Sequence, residues 1–462
     1  MKVLLTGATG LVGQEVGQAL VRAGHEVFAV TRNRAKAEIE LAYPAVLIEG
    51  DLATAPLVHE RLHEVEAVIH LLGEGVADGR WSPERKARIL ESRRAGTQHL
   101  WTSLRGRAPE VVVSASAIGY YGDRGEESLT EDSAKGTGFL ADVCDEWERA
   151  VQFPTDAVFA STRKLSLRIG MVLAAEGGAL AKLIPIYQTG AGGVIGNGQA
   201  WMSWIHLQDL VRLLLWSLTA KHASGVVNAT APNPVRNREF TKALVTALDS
   251  FQGPPVPKLA LKALYGEMSE VVLASQKVTE SRAAALGFTF QYQDILSALT
   301  EVCQFHRGGY QVLTQSQYLP YTKEAVFPFF AAAENLEKIT PPLLNFAVKT
   351  KSTEAMGAGT LIDYVLKIRG VPAKWRTLIE DWNPPHEFVD TQLKGPYKYW
   401  HHRHRFEDLG TGVLMRDRVR YKLPLGLLGQ VVAGSFVRGD VEKIFAFRRK
   451  YLHDHAAGIF GR

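Results

Sequence analysis

Thr6-Gly7-Ala8-Thr9-Gly10-Leu11-Val12-Gly13 stands directly behind Met1-Lys2-Val3-Leu4-Leu5. Residues 2–6 form a short apolar run of strand character, and residues 14–23 read as a helix ending at Gly24. Glycines in the turn permit positive φ and let a phosphate approach backbone N–H groups. The start of the following helix adds free donors and a favourable dipole for a pyrophosphate. Gly13 lets helix and strand pack closely. Strand, glycine turn and helix in that order predict a dinucleotide-binding fold.

Outward from this motif the pattern repeats. Short apolar runs recur at 26–30, 45–49, 67–72, 111–114 and 166–172, separated by helix-like stretches. Strand alternating with helix predicts a doubly wound parallel sheet, an α/β Rossmann-type fold. From Gly190 the texture changes to a glycine-rich loop and an apolar stretch over 201–218. Turn signals follow at 230–234 (TAPNP) and 253–257 (GPPVP). His-Arg-Gly-Gly-Tyr at 306–310 reads as a linker. Beyond it, strand patterns at 311–318, 360–369, 375–382, 386–393, 399–406 and 411–421 accompany helices over 322–333 and 427–452. That is a helix against an antiparallel sheet, an α+β domain. The expected boundaries are 1–305, a linker at 306–310, and 311–462.

A chain of 462 residues accommodates two or three such domains. With 46% hydrophobic and 22% charged residues, disorder and coiled coil are excluded as global descriptions. No run of 18 uncharged apolar residues suggests a membrane span. The first apolar stretch is too short for a signal peptide. Two cysteines, Cys144 and Cys303, cannot form a disulfide framework. A soluble cytoplasmic protein is expected. Residues 311–462 hold 22 Lys and Arg against 15 Asp and Glu, whereas the remainder holds 31 against 33. The basic surplus has its acids interspersed, so it reads as a solvated surface rather than an anion-binding face.

At the cofactor site, Gly7, Thr9, Gly10, Leu11, Val12 and Gly13 are the candidate phosphate cradle. The second strand ends Val30-Thr31-Arg32, where an NAD-selecting site carries an acid. A guanidinium suits the 2′-phosphate of NADP instead. NADP(H) is therefore expected ahead of NAD. Asp51 and Leu52, after the third strand, are placed for an adenine contact. The backbone of Leu72, Gly73 and Glu74, after the fourth, would line the cofactor.

Several blocks carry a family resemblance: RWSPERKARILESRRAGT (80–97), SASAIGYYGDRG (114–125), GFLADVCDEWE (138–148), LRIGMVLAAEGGAL (167–180), GQAWMSWIHLQDL (198–210) and VNATAPNPVRNREF (227–240). With the glycine turn, they make residues 1 to about 305 similar to atypical short-chain dehydrogenase/reductases of the nucleoside-diphosphate-sugar epimerase-like, or cell-division-inhibitor-like, family. A C-terminal segment resembles the domain of unknown function DUF1731. The resemblance implies a bound nicotinamide dinucleotide and adds Ser92, Arg93, Ser114, Ala115 and Arg168 to the cofactor-binding candidates. The ordinary family chemistry needs Ser, Tyr and Lys, with Tyr four residues before Lys. Ser116 occupies the serine position, but Leu140 and Cys144 occupy the other two. Without a neighbouring ammonium, Tyr120 or Tyr121 is a poor base but can still donate a proton; either could instead pack over the nicotinamide. Cys144 is a candidate nucleophile or a small buried residue. Arg168 reads as a cofactor or substrate contact, or as a structural ion pair. Asp209 reads as a cap or local acceptor, and His206 as a second-rank acid/base candidate.

Residues from 311 onward resemble the START-like, helix-grip (SRPBCC) superfamily. The resemblance is carried by FPFFAAAENLEKITPP (327–342), GAGTLIDYVL (357–366), FVDTQLKGPYKYWHHRHRFE (388–407) and GTGVLMRDRVRYKLP (410–424). It implies a hydrophobic or lipid-like ligand. His402 and His404 share one strand face and His401 takes the other. Two ligands from one segment make no metal site, and none is expected. Trp375, Trp382, Tyr397 and Trp400 read as packing or cavity wall, and nothing in the sequence supports nucleic-acid binding.

These readings converge on an NADP(H)-dependent oxidoreductase of unknown small-molecule substrate, fused to an apolar-ligand domain. Two alternatives stay open: a non-catalytic NADP(H)-binding regulator, favoured by the lost Tyr and Lys, and a nucleotide-sugar epimerase. The sequence leaves the oligomeric state open.

Overall fold

The computed structural model describes residues 1–154, 156–279, 282–424 and 426–461. It divides into two units: Met1–Ala37 with Ala45–Gln304, and Glu38–Pro44 with Phe305–Arg462.

The first unit is built on a seven-stranded parallel sheet. Its strands are β1 (Lys2–Thr6), β2 (Glu26–Thr31), β3 (Val46–Glu49), β4 (Ala67–His70), β5 (Val111–Ala117), β6 (Arg163–Ile169) and β7 (Gly225–Ala229). Their spatial order is β7-β6-β5-β4-β1-β2-β3. Helix α1 (Leu11–Arg22) follows β1, α2 (Pro83–Ser103) precedes β5, and α3 (Phe139–Gln152) lies between β5 and β6. The sheet reads as near-continuous Val, Ile, Leu and Ala because helices cover both faces. All four residues of β4 are buried, as are the first six of β5. Strand order reverses between β1 and β4, and ligands of open α/β sheets bind in the crevice at that point.

The strand expected over 166–172 is broken. It ends at Ile169 and restarts as Met171–Leu173, paired with Trp204–His206. Gly170 makes the break, since a Cβ there would press on the Ser203 carbonyl and Thr230.

The second unit holds a seven-stranded antiparallel sheet. Its strands are β8 (Gln311–Leu319), β9 (Ala347–Lys351), β10 (Leu361–Ile368), β11 (Val371–Asn383), β12 (Glu387–Lys394), β13 (Tyr399–Leu409) and β14 (Gly412–Lys422), in the order β8-β14-β13-β12-β11-β10-β9. Helix α4 (Lys323–Phe330) follows β8, and the long α5 (Gly426–Phe460) closes the chain. Phe327, Phe330, Phe406, Val413, Met415, Leu452 and Phe460 share one buried cluster. The sequence reading lacks β9. This five-residue edge strand is half exposed and pairs only with β10, across a register shift. Among the described residues, no helix is long and apolar enough to cross a membrane.

Candidate functional site

The turn after β1 is held from below. Thr6 Oγ1 accepts the N–H groups of Leu71 and Leu72 at 3.0 and 3.1 Å and lies 2.9 Å from His70 Nδ1. His70 Nε2 lies 3.1 Å from Thr97 Oγ1, which donates to the Arg93 carbonyl. One proton assignment satisfies every contact: Thr6 O–H donates to Nδ1, and the neutral imidazole donates from Nε2. Complete burial pushes the His70 pKa down to about 3. This chain ties the C-terminal ends of β1 and β4 together beneath the crevice.

Above it, Gly7 has φ +69, and a Cβ there would strike the Leu71 carbonyl. A Cβ at Gly13 would overlap the Gly7 carbonyl and press on Ala8. The close packing of α1 on the turn therefore requires glycine at both positions. Among the described residues no side chain caps α1, so its first N–H groups remain donors for a ligand. Gly7, Leu11 and Val12 are half exposed, Thr9 and Gly10 are exposed, and Gly13 is buried. The residues present fit a pyrophosphate cradle.

The other cofactor candidates divide into rim and support. Arg32 is exposed immediately beyond β2. The Asp51 carboxylate accepts from Ala53 N at 3.0 Å, while Leu52 is buried in the core beneath. Ser92 accepts from Glu74 N at 3.0 Å. Arg93 donates to the carbonyls of Glu74 and Ile89 at 3.1 and 2.9 Å and lies 4.8 Å over the Trp147 ring. Both residues thus clamp the backbone of Glu74. Ser114 and Ala115 are buried, with Ser114 O–H donating to the Ala115 carbonyl.

At the end of β5 the structure gathers one buried polar network. Ser116 O–H donates to Glu148 Oε1 at 2.7 Å. Arg168 grips the same carboxylate in a bidentate pair, Nε to Oε1 and Nη2 to Oε2, both 2.8 Å. Its Nη1 donates to Tyr121 Oη at 3.0 Å, and that hydroxyl lies 2.7 Å from Asn228 Oδ1. Of the two readings of Arg168, the structure displays the ion pair. Tyr121 is fully buried, and burial raises its pKa. Tyr120 is half exposed, with the Arg168 guanidinium 3.4 Å from its ring centroid. Burial pushes the Cys144 thiol up to about 11, and the Glu148 charge adds to the effect. Burial of this kind disfavours the thiolate form.

Glu148 escapes the sequence reading. It sits one turn beyond Cys144, on the face of α3 that also buries Ala141, Trp147 and Val151. An acid in such a stripe is the signal that could have found it. The remaining candidates have local duties. Asp209, fully buried, accepts the N–H groups of Gln291 and Tyr292 at 2.9 Å. His206 accepts from Gln208 N, lies 2.9 Å from Glu301 and stacks on Tyr292.

A glycine turn at the reversal of a parallel sheet, with Ser116 at the end of β5, defines a Rossmann protein of the short-chain dehydrogenase/reductase class. Leu140 and Cys144 stand where the resemblance places Tyr and Lys. The NAD dependent epimerase/dehydratase family model matches residues 3–229, and the domain of unknown function DUF1731 matches 256–302. The chain belongs to the epimerase family. It is 40% identical over 311 residues to the chloroplastic epimerase family protein SDR39U1 homolog of Arabidopsis thaliana, covering 66% of this chain and 87% of that one. It is 34% identical over 306 residues to the epimerase family protein YfhF of Bacillus subtilis, covering 65% and 98%. Among solved structures it resembles human epimerase family protein SDR39U1 with NADPH, at TM-score 0.59 and 30% identity over 66% of this chain and 99% of that one. Both matched family models end before Phe305, where the C-terminal part of the second unit begins.

Proposed function

We propose that the first unit is an NADP(H)-dependent oxidoreductase acting on a small substrate at a carbonyl or carbinol carbon. The observation that carries this reading is the uncapped, glycine-packed start of α1 beside an exposed Arg32. The human relative's structure with NADPH supports the choice of coenzyme. When bound, that coenzyme supplies or accepts hydride at the nicotinamide C4. Residues 7–13 would hold its pyrophosphate, Arg32 its 2′-phosphate, Asp51 its adenosine end, and the backbone of 72–74 its middle.

The chain's own groups handle the proton. Ser116 spends its O–H on Glu148, so its lone pairs face the substrate and accept from a carbinol hydroxyl. Tyr120 is the group that donates a proton to a carbonyl oxygen during reduction, because the Tyr121 hydroxyl is committed to Asn228 and Arg168. Glu148 and Arg168 are positioning residues for Ser116 and Tyr120. For the second unit we propose a START-like domain for an apolar ligand, on the strength of its antiparallel sheet and long final helix.

Calorimetry on the full chain tests the reading. Arg32→Ala should weaken NADPH binding about 10- to 100-fold and NADH binding about twofold or less. Failure of the unaltered chain to bind either coenzyme overturns it. A second reading, an NADP(H)-binding regulator without turnover, is favoured by the protonated Cys144 in the lysine position. It predicts binding with no NADPH oxidation across aldehydes, ketones and nucleotide sugars. Turnover of a nucleotide sugar would instead support the epimerase alternative.

A further inference from the structure

The second unit carries a cluster that the proposed oxidoreductase chemistry does not use. His402 and His404 lie two residues apart on β13, so both occupy its buried face, 8% and 4% exposed. Strand register brings Asp390 of β12 opposite His402, and Asp417 of β14 opposite His404. Asp390 Oδ2 lies 3.3 Å from His402 Nδ1 and 3.0 Å from His404 Nε2. Asp417 Oδ1 lies 3.1 Å from His402 Nε2 and 2.8 Å from His404 Nδ1. Arg448 Nη2, from α5, is 3.6 Å from that same oxygen and 3.2 Å from His404 Nδ1. Asp417 Oδ2, in a side chain 1% exposed, is buried with no hydrogen-bond partner among the described residues.

Three of these contacts have hydrogen-bond geometry: His402 Nε2 with Asp417 Oδ1, His404 Nε2 with Asp390 Oδ2, and Arg448 Nη2, always a donor, with His404 Nδ1. Phe388 stacks on His404 and Phe445 lies edge-on to His402, so apolar rings enclose the cluster. Two imidazoles and a carboxylate are thereby held together in a buried site.

The distances also suit an ion. Ligand atoms about 2.0–2.1 Å from a tetrahedral ion stand about 3.3 Å from one another. One ligand atom each from Asp390, His402 and His404 fall within 4.8 Å of one another. The geometry points to a divalent first-row transition-metal site, zinc being the best match, with His402 Nδ1, His404 Nε2 and an Asp390 oxygen as ligands. Asp417 Oδ1 lies 3.1 and 2.8 Å from the other nitrogen of each ring, the place that an outer carboxylate takes in histidine–zinc sites. Arg448 balances the Asp417 charge. Three protein ligands leave a fourth position for water or substrate. Asp390, at 17% exposure, is the ligand nearest to solvent access.

Full-length protein, stripped by chelation and titrated with Zn²⁺ against a chromophoric competitor, should take up one ion per chain. Co²⁺ in its place should show the intense visible bands of a four-coordinate ion. Replacing both histidines, His402→Gln with His404→Gln, should weaken Zn²⁺ at least about 100-fold, and Asp417→Asn about 10- to 100-fold. Far-UV circular dichroism reports whether each variant folds. Should the double variant not fold, Asp390→Asn, at the more exposed ligand, must show the same loss. Uptake below a tenth of an equivalent, or binding unchanged in the folded variants, overturns the site.

Discussion

Glu148 and Arg168 form the most consequential pair of side chains in the first unit. Arg168 is 3% exposed, and its guanidinium has one carboxylate to neutralise it. Removing one partner of a buried pair strands the other charge. Glu148→Ala should therefore cost about 3–5 kcal/mol, read by urea denaturation of the first unit. It should also free the Ser116 hydroxyl. The thiols give a second test. Cys144 and Cys303 are both buried, and burial pushes their pKa values up to about 11 and about 12. Neither should react with a thiol reagent in native protein at pH 8, and both should react in urea. Rapid native labelling of Cys144 would favour its reading as a nucleophile.

At the scale of elements, the joint between β1, β4 and α1 determines whether the crevice forms. Gly13→Ala forces a methyl group into the Gly7 carbonyl. Overpacking of that kind costs about 1–3 kcal/mol, and it moves the first turn of α1 off the cradle. NADPH affinity should fall more than tenfold while far-UV circular dichroism stays unchanged. The His70 chain beneath the joint gives it a pH dependence. The fold accommodates the neutral imidazole, with a pKa of about 3 against an ordinary 6.5. The unfolded chain thus binds more protons between those values. The contribution is complete above about pH 6.5 and is lost progressively as the pH falls towards 3, an effect of up to about 5 kcal/mol. Denaturation of the first unit measured from pH 7 to pH 4 should show this slope, and His70→Asn should flatten it.

For the whole molecule, each unit has its own sheet and its own buried clusters. Domains of this kind unfold as separate cooperative units. Differential scanning calorimetry should resolve two transitions. NADPH at 100 times its Kd should stabilise the first unit by about 2.7 kcal/mol and leave the second in place. Under the metal proposal, chelation should lower only the second.

Legible along the chain are the alternation of strand and helix in the first unit and the glycine turn that opens it. These are local: periodicity, turn chemistry and spacing are written along the chain. Tertiary structure alone decided the partnerships. Glu148 meets Ser116 and Arg168 because α3 packs against β5 and β6, and no spacing along the chain encodes that crossing. It also separated Tyr120 from Tyr121, adjacent residues of which one is half exposed and the other sealed. His402 and His404 were legible as one strand face. Asp390 and Asp417 join them through register across three strands, and register is set when a whole sheet buries its inner side.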